Sequence, residues 1–284
     1  MAASVDPIGI FDSGVGGLSV LKQLRQQMPA ESVLYFADQG HVPYGPRGLE
    51  EVRMFSEQIT RFLLGLGAKL IVVACNAASA ASLYYLRQTF PDTAFVGMEP
   101  AVKPAAESTN TGVVGVLATP ATFQGALYAS VVERFANGVT ILQDTCPGLV
   151  GLIEKGELDT PATRDILEKA LHPMLKQGID TVVLGCTHYP FVIPLIEQIA
   201  GPRVRVIDPA PAVVRQAARL LDTAGLRNLS IAPGVYRFFT SADAFRLAQD
   251  LPILLGEAGS VQPIVWKGND ISIAGVGRVH HQVE

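Results

Sequence analysis

LIVVACNAAS, residues 70–79, runs apolar from Leu70 to Ala74, breaks at Cys75 and Asn76, and continues in small residues. An unbroken apolar run of this length reads as a strand buried on both faces, the kind that parallel sheets require. The segment behind it, AASAASLYYLRQTF (77–90), reads as a helix with small residues in its first turns. The unit is therefore strand, cysteine, polar residue, helix. The same grammar returns in TVVLGCTHYP (181–190), where an apolar run ends at Cys186 and Pro190 cuts any simple continuation.

Working outward, the remaining chain follows the same alternation. PIGIFDSG (7–14) predicts a strand entering a Gly-rich turn, and Leu18, Leu21 and Leu24 then recur at helical spacing. SVLYFAD (32–38), AFVGMEP (94–100), TGVVGVLATP (111–120), GVTILQDT (138–145), RVRVIDP (203–209) and GVYRFFTS (234–241) predict further strands. Helices are expected over 49–67, from about 121 to 135, and over 163–178, 210–225 and 242–256. Strands alternating with helices imply βαβ units, mainly parallel sheets and right-handed crossovers. The echo around Cys75 and Cys186 suggests two pseudo-symmetric α/β lobes. Lobes that face each other would set the two strand ends across one cleft.

Composition narrows the function classes. The chain has 284 residues, 49% hydrophobic and 17% charged, with net charge −4. No basic stretch stands out, so nucleic acid is not an expected partner. No apolar stretch is long enough to span a bilayer, and MAASVDPIGIFDSG lacks the basic and apolar regions of a signal peptide. Three cysteines, Cys75, Cys146 and Cys186, without a C-x-x-C pair, argue against a disulfide framework and a structural zinc site. A reducing, cytoplasmic setting is expected, with no metal.

FDSGVGG (11–17) opens a helix. Asp12 and Ser13 are N-cap types, and Gly14, Gly16 and Gly17 let backbone amides approach an anion. A plain tight turn is the competing reading. ADQGHVPYGPRG (37–48) predicts a shaped loop in which Tyr44 and Gly45 could line a pocket. Cys75, at the start of a helix, would feel the dipole, which lowers a thiol pKa; an inert buried cysteine is the alternative. Cys186, Thr187 and His188 bring a thiol, a hydroxyl and an imidazole together. Glu154, in LVGLIEKGEL (149–158), reads as exposed. His172 precedes Pro173 within a helix and has no evident partner, and His280 and His281 sit in a polar tail. No lysine has an obvious pyridoxal-phosphate setting, and nothing demands a cofactor.

Two cysteines in matched contexts suggest symmetric acid–base work. Inverting a stereocentre by proton transfer needs a base on one face and an acid on the other. Thiol pKa values can be tuned toward neutrality for both roles. The α-proton of an amino acid is a weak acid, so backbone amides and hydroxyls must also stabilise the carbanion.

In this order, IGIFDSGVGGLSVL, YFADQGHVPYGPRG, VVACNAAS, GMEPAVKPA, LGCTHYPFVIPLI and YRFFTSADAFRLA resemble the signatures of bacterial glutamate racemase, in the aspartate/glutamate racemase superfamily. The resemblance implies a cofactor-independent enzyme of two α/β lobes with its site between them. Residues 1–98 with 208–284 would form the first lobe, a discontinuous one, and 99–207 the second. It implies that Cys75 takes the proton from D-glutamate and Cys186 from L-glutamate. Asp12, Glu154 and His188 would assist the thiols. Asp12, Ser13, Tyr44, Gly45, Asn76, Ala77, Thr119, Thr122, Thr187 and His188 match substrate-contacting positions. A homodimer supplying D-glutamate for peptidoglycan is expected. One departure stands out: the family usually reads Cys-Asn-Thr, and position 77 here is alanine. A water or Ser79 could replace the missing hydroxyl. The neighbouring readings are a racemase of aspartate or hydantoins, and a bilobed binding protein that lost activity. A Cys186–His188 thiol hydrolase leaves Cys75 unexplained.

Overall fold

The computed structural model describes residues 2–268 and 270–274; the tail histidines at 280 and 281 lie outside them. Four strands set the plan: β1 (Ile8–Asp12), β2 (Val33–Ala37), β3 (Leu70–Val73) and β4 (Ala94–Gly97). They pair in parallel in the spatial order β2-β1-β3-β4. Four later strands, β5 (Val113–Ala118), β6 (Thr140–Asp144), β7 (Thr181–Gly185) and β8 (Arg205–Ile207), repeat that order as β6-β5-β7-β8. The echo in the sequence is thus an echo in topology. Cys75 follows the third strand of the first set by two residues, and Cys186 directly follows the third strand of the second.

In each set the first strand lies between the second and the third. The chain therefore leaves the central strand to one side, then crosses to the other. Ligand clefts in parallel sheets open at such a switch point, outside the carboxyl ends of the strands. Here those ends carry Asp12 at the end of β1 and Ser13 just after it, Cys75 after β3, Thr119 after β5 and Cys186 after β7.

Three more strands extend the first sheet beyond β2: β9 (Tyr236–Thr240), β10 (Val261–Lys267) and β11 (Asp270–Ile273). The seven-stranded sheet therefore joins the N-terminal part to the C-terminal part, while the four-stranded sheet is built from the middle of the chain. Every pairing is parallel except β10 with β11. Those two strands are an addition to the sequence expectation: β10 is mostly half-buried or exposed, with Ile264 alone buried, and Pro263 interrupts its apolar run.

Strand faces divide as a period of two dictates. Ile8, Ile10, Val33, Tyr35, Leu70 and Val72 pack with helices α1 (Leu18–Gln27) and α10 (Ala210–Ala224). Phe11, Leu34, Phe36, Ile71 and Val73 face α2 (Leu49–Gly65) and α3 (Asn76–Thr89). The helix expected over 121–135 is two helices, α5 (Pro120–Gln124) and α6 (Ala126–Phe135), parted at Gly125 with extended backbone. A Cβ there would lie 2.9 Å from Cβ of Ala80 on α3, so the break accompanies a close approach. A short helix not expected from the sequence, α4 (Val102–Ser108), joins β4 to β5. The second set is completed by α7 (Leu149–Ile153), α8 (Pro161–Lys176) and α9 (Ile193–Ala200), and α11 (Ala244–Leu254) follows β9. Among the described residues no helix is long and apolar enough to cross a membrane.

Candidate active site

A cavity lies where the strand ends of the two sheets meet. From the first sheet Ser13, Tyr44, Gly45, Cys75, Asn76 and Ala77 line it; from the second come Thr119, Cys186, Thr187 and His188. Pro43 and Val150, which sequence reasoning did not single out, complete the wall. Only about 20 Å³ is open to the centre of a water-sized sphere, room for about one water. The two candidate thiols are both free, and each is 5% exposed.

Cys75 is itself the N-cap of α3. Its backbone is extended, and its Sγ accepts the Ala78 amide at 3.5 Å. Its thiol faces Ser13 Oγ at 3.8 Å. The sequence expectation of a depressed thiol pKa does not hold here. Burial, together with the nearby Asp12 carboxyl, pushes the Cys75 thiol well up, and the amide and Ser13 contacts do not offset this. Asp12 is fully buried, and burial also raises its pKa. Cys75 therefore holds its proton.

The Gly-rich turn cradles anions, but they are this chain's own. Asp12 Oδ2 accepts the amides of Gly14 and Gly17 at 3.2 and 3.0 Å. Glu154 Oε1 accepts the amide of Val15 at 2.8 Å. Glu154, expected to be exposed, is only 13% so, and it reaches the turn from the end of α7. Gly14 makes that approach possible: a Cβ on it would lie 1.9 Å from Glu154 Oε1. Gly16 does the same for His188, whose Nδ1 would sit 2.5 Å from an added Cβ.

Cys186 is served by a chain of groups. Its sulfur lies 3.7 Å from His188 Nδ1, and His188 Nε2 lies 2.6 Å from Glu154 Oε1. Burial opposes a charge on His188, but the contacts with Cys186 and Glu154 prevail and hold its pKa well above the ordinary imidazole value. Burial likewise opposes charge on Glu154; His188, the Val15 amide and Gln39 outweigh it and lower the carboxyl pKa. The signs set a window. The Glu154 contribution is present above the ordinary carboxylate value of 4.5 and fades as pH falls through its lowered value. That of His188 is present below 6.5 and fades as pH rises through its raised value. The pair is fully stabilising between the two. Glu154→Gln removes the carboxylate, so His188 should titrate at lower pH than in the wild type. The ¹⁵N shifts of the His188 ring report this, and an unmoved titration would contradict the pairing.

Asn76 supplies a different signal. It is 4% exposed and lines the cavity, yet neither its Nδ2 nor its Oδ1 has a partner. Each buried unpaired group costs about 1–3 kcal/mol. A water or a polar ligand in the cavity would meet both groups, since the amide offers a donor and an acceptor.

Two expected contact residues, Tyr44 and Thr122, and the expected substitute Ser79 are committed elsewhere. The Tyr44 hydroxyl donates to Asp38 Oδ2 at 2.5 Å, so it is no free donor, although Tyr44 lines the cavity. Asp38 also accepts from Ser241 and Trp266, which ties the 37–48 loop to the C-terminal strands. Thr122 stands behind the wall and bonds Gly185 O at 3.3 Å, while Thr119 lies on the wall. Ser79 cannot replace the hydroxyl missing at Ala77: it donates to Val73 O at 3.0 Å and accepts from Met98 N at 2.8 Å. Thr187 Oγ1 lies 3.5 Å from Asp12 Oδ1, which links the two lobes at the cavity. Cys146 and His172 take no part in the wall. No group of three or more His, Cys, Asp or Glu suited to a metal is present among the described residues.

Two thiols on one cavity, each after the third strand of its own set, suit proton transfer to and from opposite faces of one carbon. Residues 8–217 match the model of the Asp/Glu/hydantoin racemase family. A glutamate racemase of Pseudomonas paraeruginosa is 50% identical over 92% of this chain and 98% of its own. Among solved structures, a glutamate racemase isoform of Bacillus anthracis superposes with a TM-score of 0.82 at 32% identity, over 92% of this chain and 97% of that one. The Escherichia coli glutamate racemase, solved with L-glutamate and the activator UDP-MurNAc-Ala, gives 0.79 at 31% identity, over 95% and 100%. A likeness of this extent, in sequence and in fold, places the chain in the Asp/Glu/hydantoin racemase family.

Proposed function

We propose that the protein is a glutamate racemase, interconverting L- and D-glutamate by a two-thiol mechanism. The observation that carries the reading is the pair of buried free cysteines on one cavity, at equivalent positions of two topologically matched sheets. Cys186, as thiolate, removes the α-proton of L-glutamate; the Cys75 thiol delivers its proton to the opposite face. The reverse direction exchanges the roles. His188, held by Glu154, exchanges protons with Cys186, and Asp12 with Ser13 serves Cys75. Asn76 and Thr187 bind the substrate's polar groups, and their dipoles offset the charge of the carbanion. Glutamate as substrate rests on the relatives' names and on the L-glutamate bound by the Escherichia coli neighbour.

The test is α-proton exchange in D₂O with each enantiomer and no added cofactor. Deuterium entering Cα together with loss of optical rotation is expected. Binding of glutamate without exchange would overturn the reading. Aspartate and 5-substituted hydantoins, run in competition, separate this substrate from its siblings. In the same proposal the lobes are residues 1–98 with 208–284 and residues 99–207. The enzyme works in the cytoplasm as a homodimer and supplies D-glutamate for peptidoglycan.

Ala77 yields a further expectation. It lines the cavity at the start of α3, and the nearby Ser79 hydroxyl, bonded to Val73 O and the Met98 amide, does not replace the one absent there. Ala77→Thr should lower KM for glutamate roughly tenfold, as one charge-assisted hydrogen bond implies. Steady-state kinetics decide it; an unchanged or raised KM would mean that the substrate carboxylate lies elsewhere.

A further inference from the structure

We propose that Gln39 is a positioning residue for the Cys186 half of the reaction, locking Glu154 against rotation through a hydrogen-bond chain anchored at Thr240. The proposal rests on the racemase reading and deepens it.

The anchor is backbone. Ala37, the last residue of β2, is the register partner of Thr240, the last of β9. On either side of Gln39 the main chain is held: the Asp38 amide donates to Asp12 O at 2.9 Å, and the Gly40 amide to Ser241 Oγ at 2.9 Å. Gln39 therefore leaves the sheet at a fixed place beside Thr240.

The direction of its amide follows from what the partners can do. A carboxylate only accepts, so Glu154 Oε2 must face the Gln39 NH₂, and the Nε2 to Oε2 distance is 3.2 Å. On the other side, Thr240 Oγ1 already accepts the Ala242 amide at 3.2 Å, and its hydroxyl donates to Gln39 Oε1 at 3.0 Å. The chain thus runs from Ala242 through Thr240, Gln39, Glu154 and His188 to Cys186. None of these bonds reaches Cys75, whose sulfur meets Ser13, the Ala78 amide and the Asp12 carboxyl.

Glu154 shows why the chain is needed. Its Oε1 is shared between the Val15 amide and His188 Nε2. Its Oε2 is held by Gln39. Without that hold the carboxylate can turn about its last bond and carry Oε1 out of line with the imidazole. A side chain that works by alignment depends on such outer partners. The loss falls on proton transfer at Cys186, not on the fold.

Enantiomers have equal free energy, so any variant must lower kcat/KM equally in both directions. The asymmetry appears instead in the primary isotope effects on kcat/KM, measured with C2-deuterated L- and D-glutamate. Gln39→Leu should lower kcat/KM on the order of tenfold. The isotope effect should rise for the enantiomer whose proton Cys186 removes, because that step becomes more limiting. It should fall for the other, whose return from Cys186 becomes limiting. Thr240→Val, which removes only the hydroxyl, should shift both effects the same ways by less, and Thr240→Ser should restore wild-type values. Isotope effects that stay put, or that move together, would overturn the proposal, as would Thr240→Ser behaving like Thr240→Val. A wild-type protein that exchanges no α-proton sinks the racemase reading and this proposal with it. A normal wild type with unshifted Gln39→Leu sinks the positioning role alone.

Discussion

Racemisation by Cys75→Ser and by Cys186→Ser is expected to fall at least a thousandfold in each, with melting temperatures close to the wild type. Serine keeps the size of the side chain and, at position 75, an acceptor for the Ala78 amide that caps α3. What it lacks is an acid–base group: an alcohol is far from the range in which a proton passes both ways near neutrality. A positioned acid or base contributes about 10²–10⁴-fold, and here one replacement removes an acid in one direction and a base in the other. The two thiols differ in setting. Cys75 lies against buried Asp12 and holds its proton, while Cys186 lies beside an imidazole whose pKa is raised. Despite that difference both losses must be large, since both faces of Cα are used in every turnover. Chiral analysis of D- and L-glutamate over time measures this. If either variant keeps turnover within tenfold of the wild type, the two-base mechanism is wrong and one cysteine is a bystander.

The parts of this molecule that were legible in the sequence are those that local chemistry decides. Strands such as LIVV and TVVLG are buried on both faces and read as unbroken apolar runs. The pairing of Cys75 with Cys186 was legible because the same local unit occurs twice. What stayed hidden depends on groups distant in sequence. Glu154 looks like an ordinary exposed carboxylate until Val15, 139 residues earlier, brings its amide to it and Gly14 leaves it room. The acidity of Cys75 was misjudged because the helix dipole is local, whereas its burial and the charge of Asp12 arise from the fold. Ser79 seemed a spare hydroxyl because its two partners, Val73 and Met98, are fixed only when β3, α3 and the end of β4 come together. Gln39 carries no signal in sequence, since any polar residue suits an exposed loop. Its partner Thr240 is brought alongside by the β2–β9 pairing.

Gly14→Ala should lower activity on the order of a hundredfold, through Glu154. Glycine at 14 is not there for backbone freedom; the position carries no left-handed φ. The demand is for space. An added Cβ would lie 1.9 Å from Glu154 Oε1 and 2.8 Å from Cδ, so one partner must yield. The backbone of residue 14 is pinned on two sides: its amide donates to Asp12 Oδ2, and its carbonyl accepts the buried Tyr35 hydroxyl at 3.0 Å. The carboxylate is the softer element and is displaced. It then loses the Val15 amide and His188 together, and His188 no longer has a fixed partner while it faces Cys186. Overpacking of this kind costs about 1–3 kcal/mol of stability, so a modest fall in melting temperature accompanies the loss. The decisive measurement is a double-mutant cycle. If Gly14→Ala acts by expelling Glu154, the variant carrying both Gly14→Ala and Glu154→Ala should be no worse than Glu154→Ala alone. Gly65→Ala, where nothing lies within 4 Å at the end of α2, is the control and should leave activity unchanged. Multiplying losses in the double variant would place the damage in the turn itself and remove Glu154 from the explanation. Non-multiplying losses would mean that a glycine with no chemistry of its own governs the proton path to Cys186 by the room it leaves.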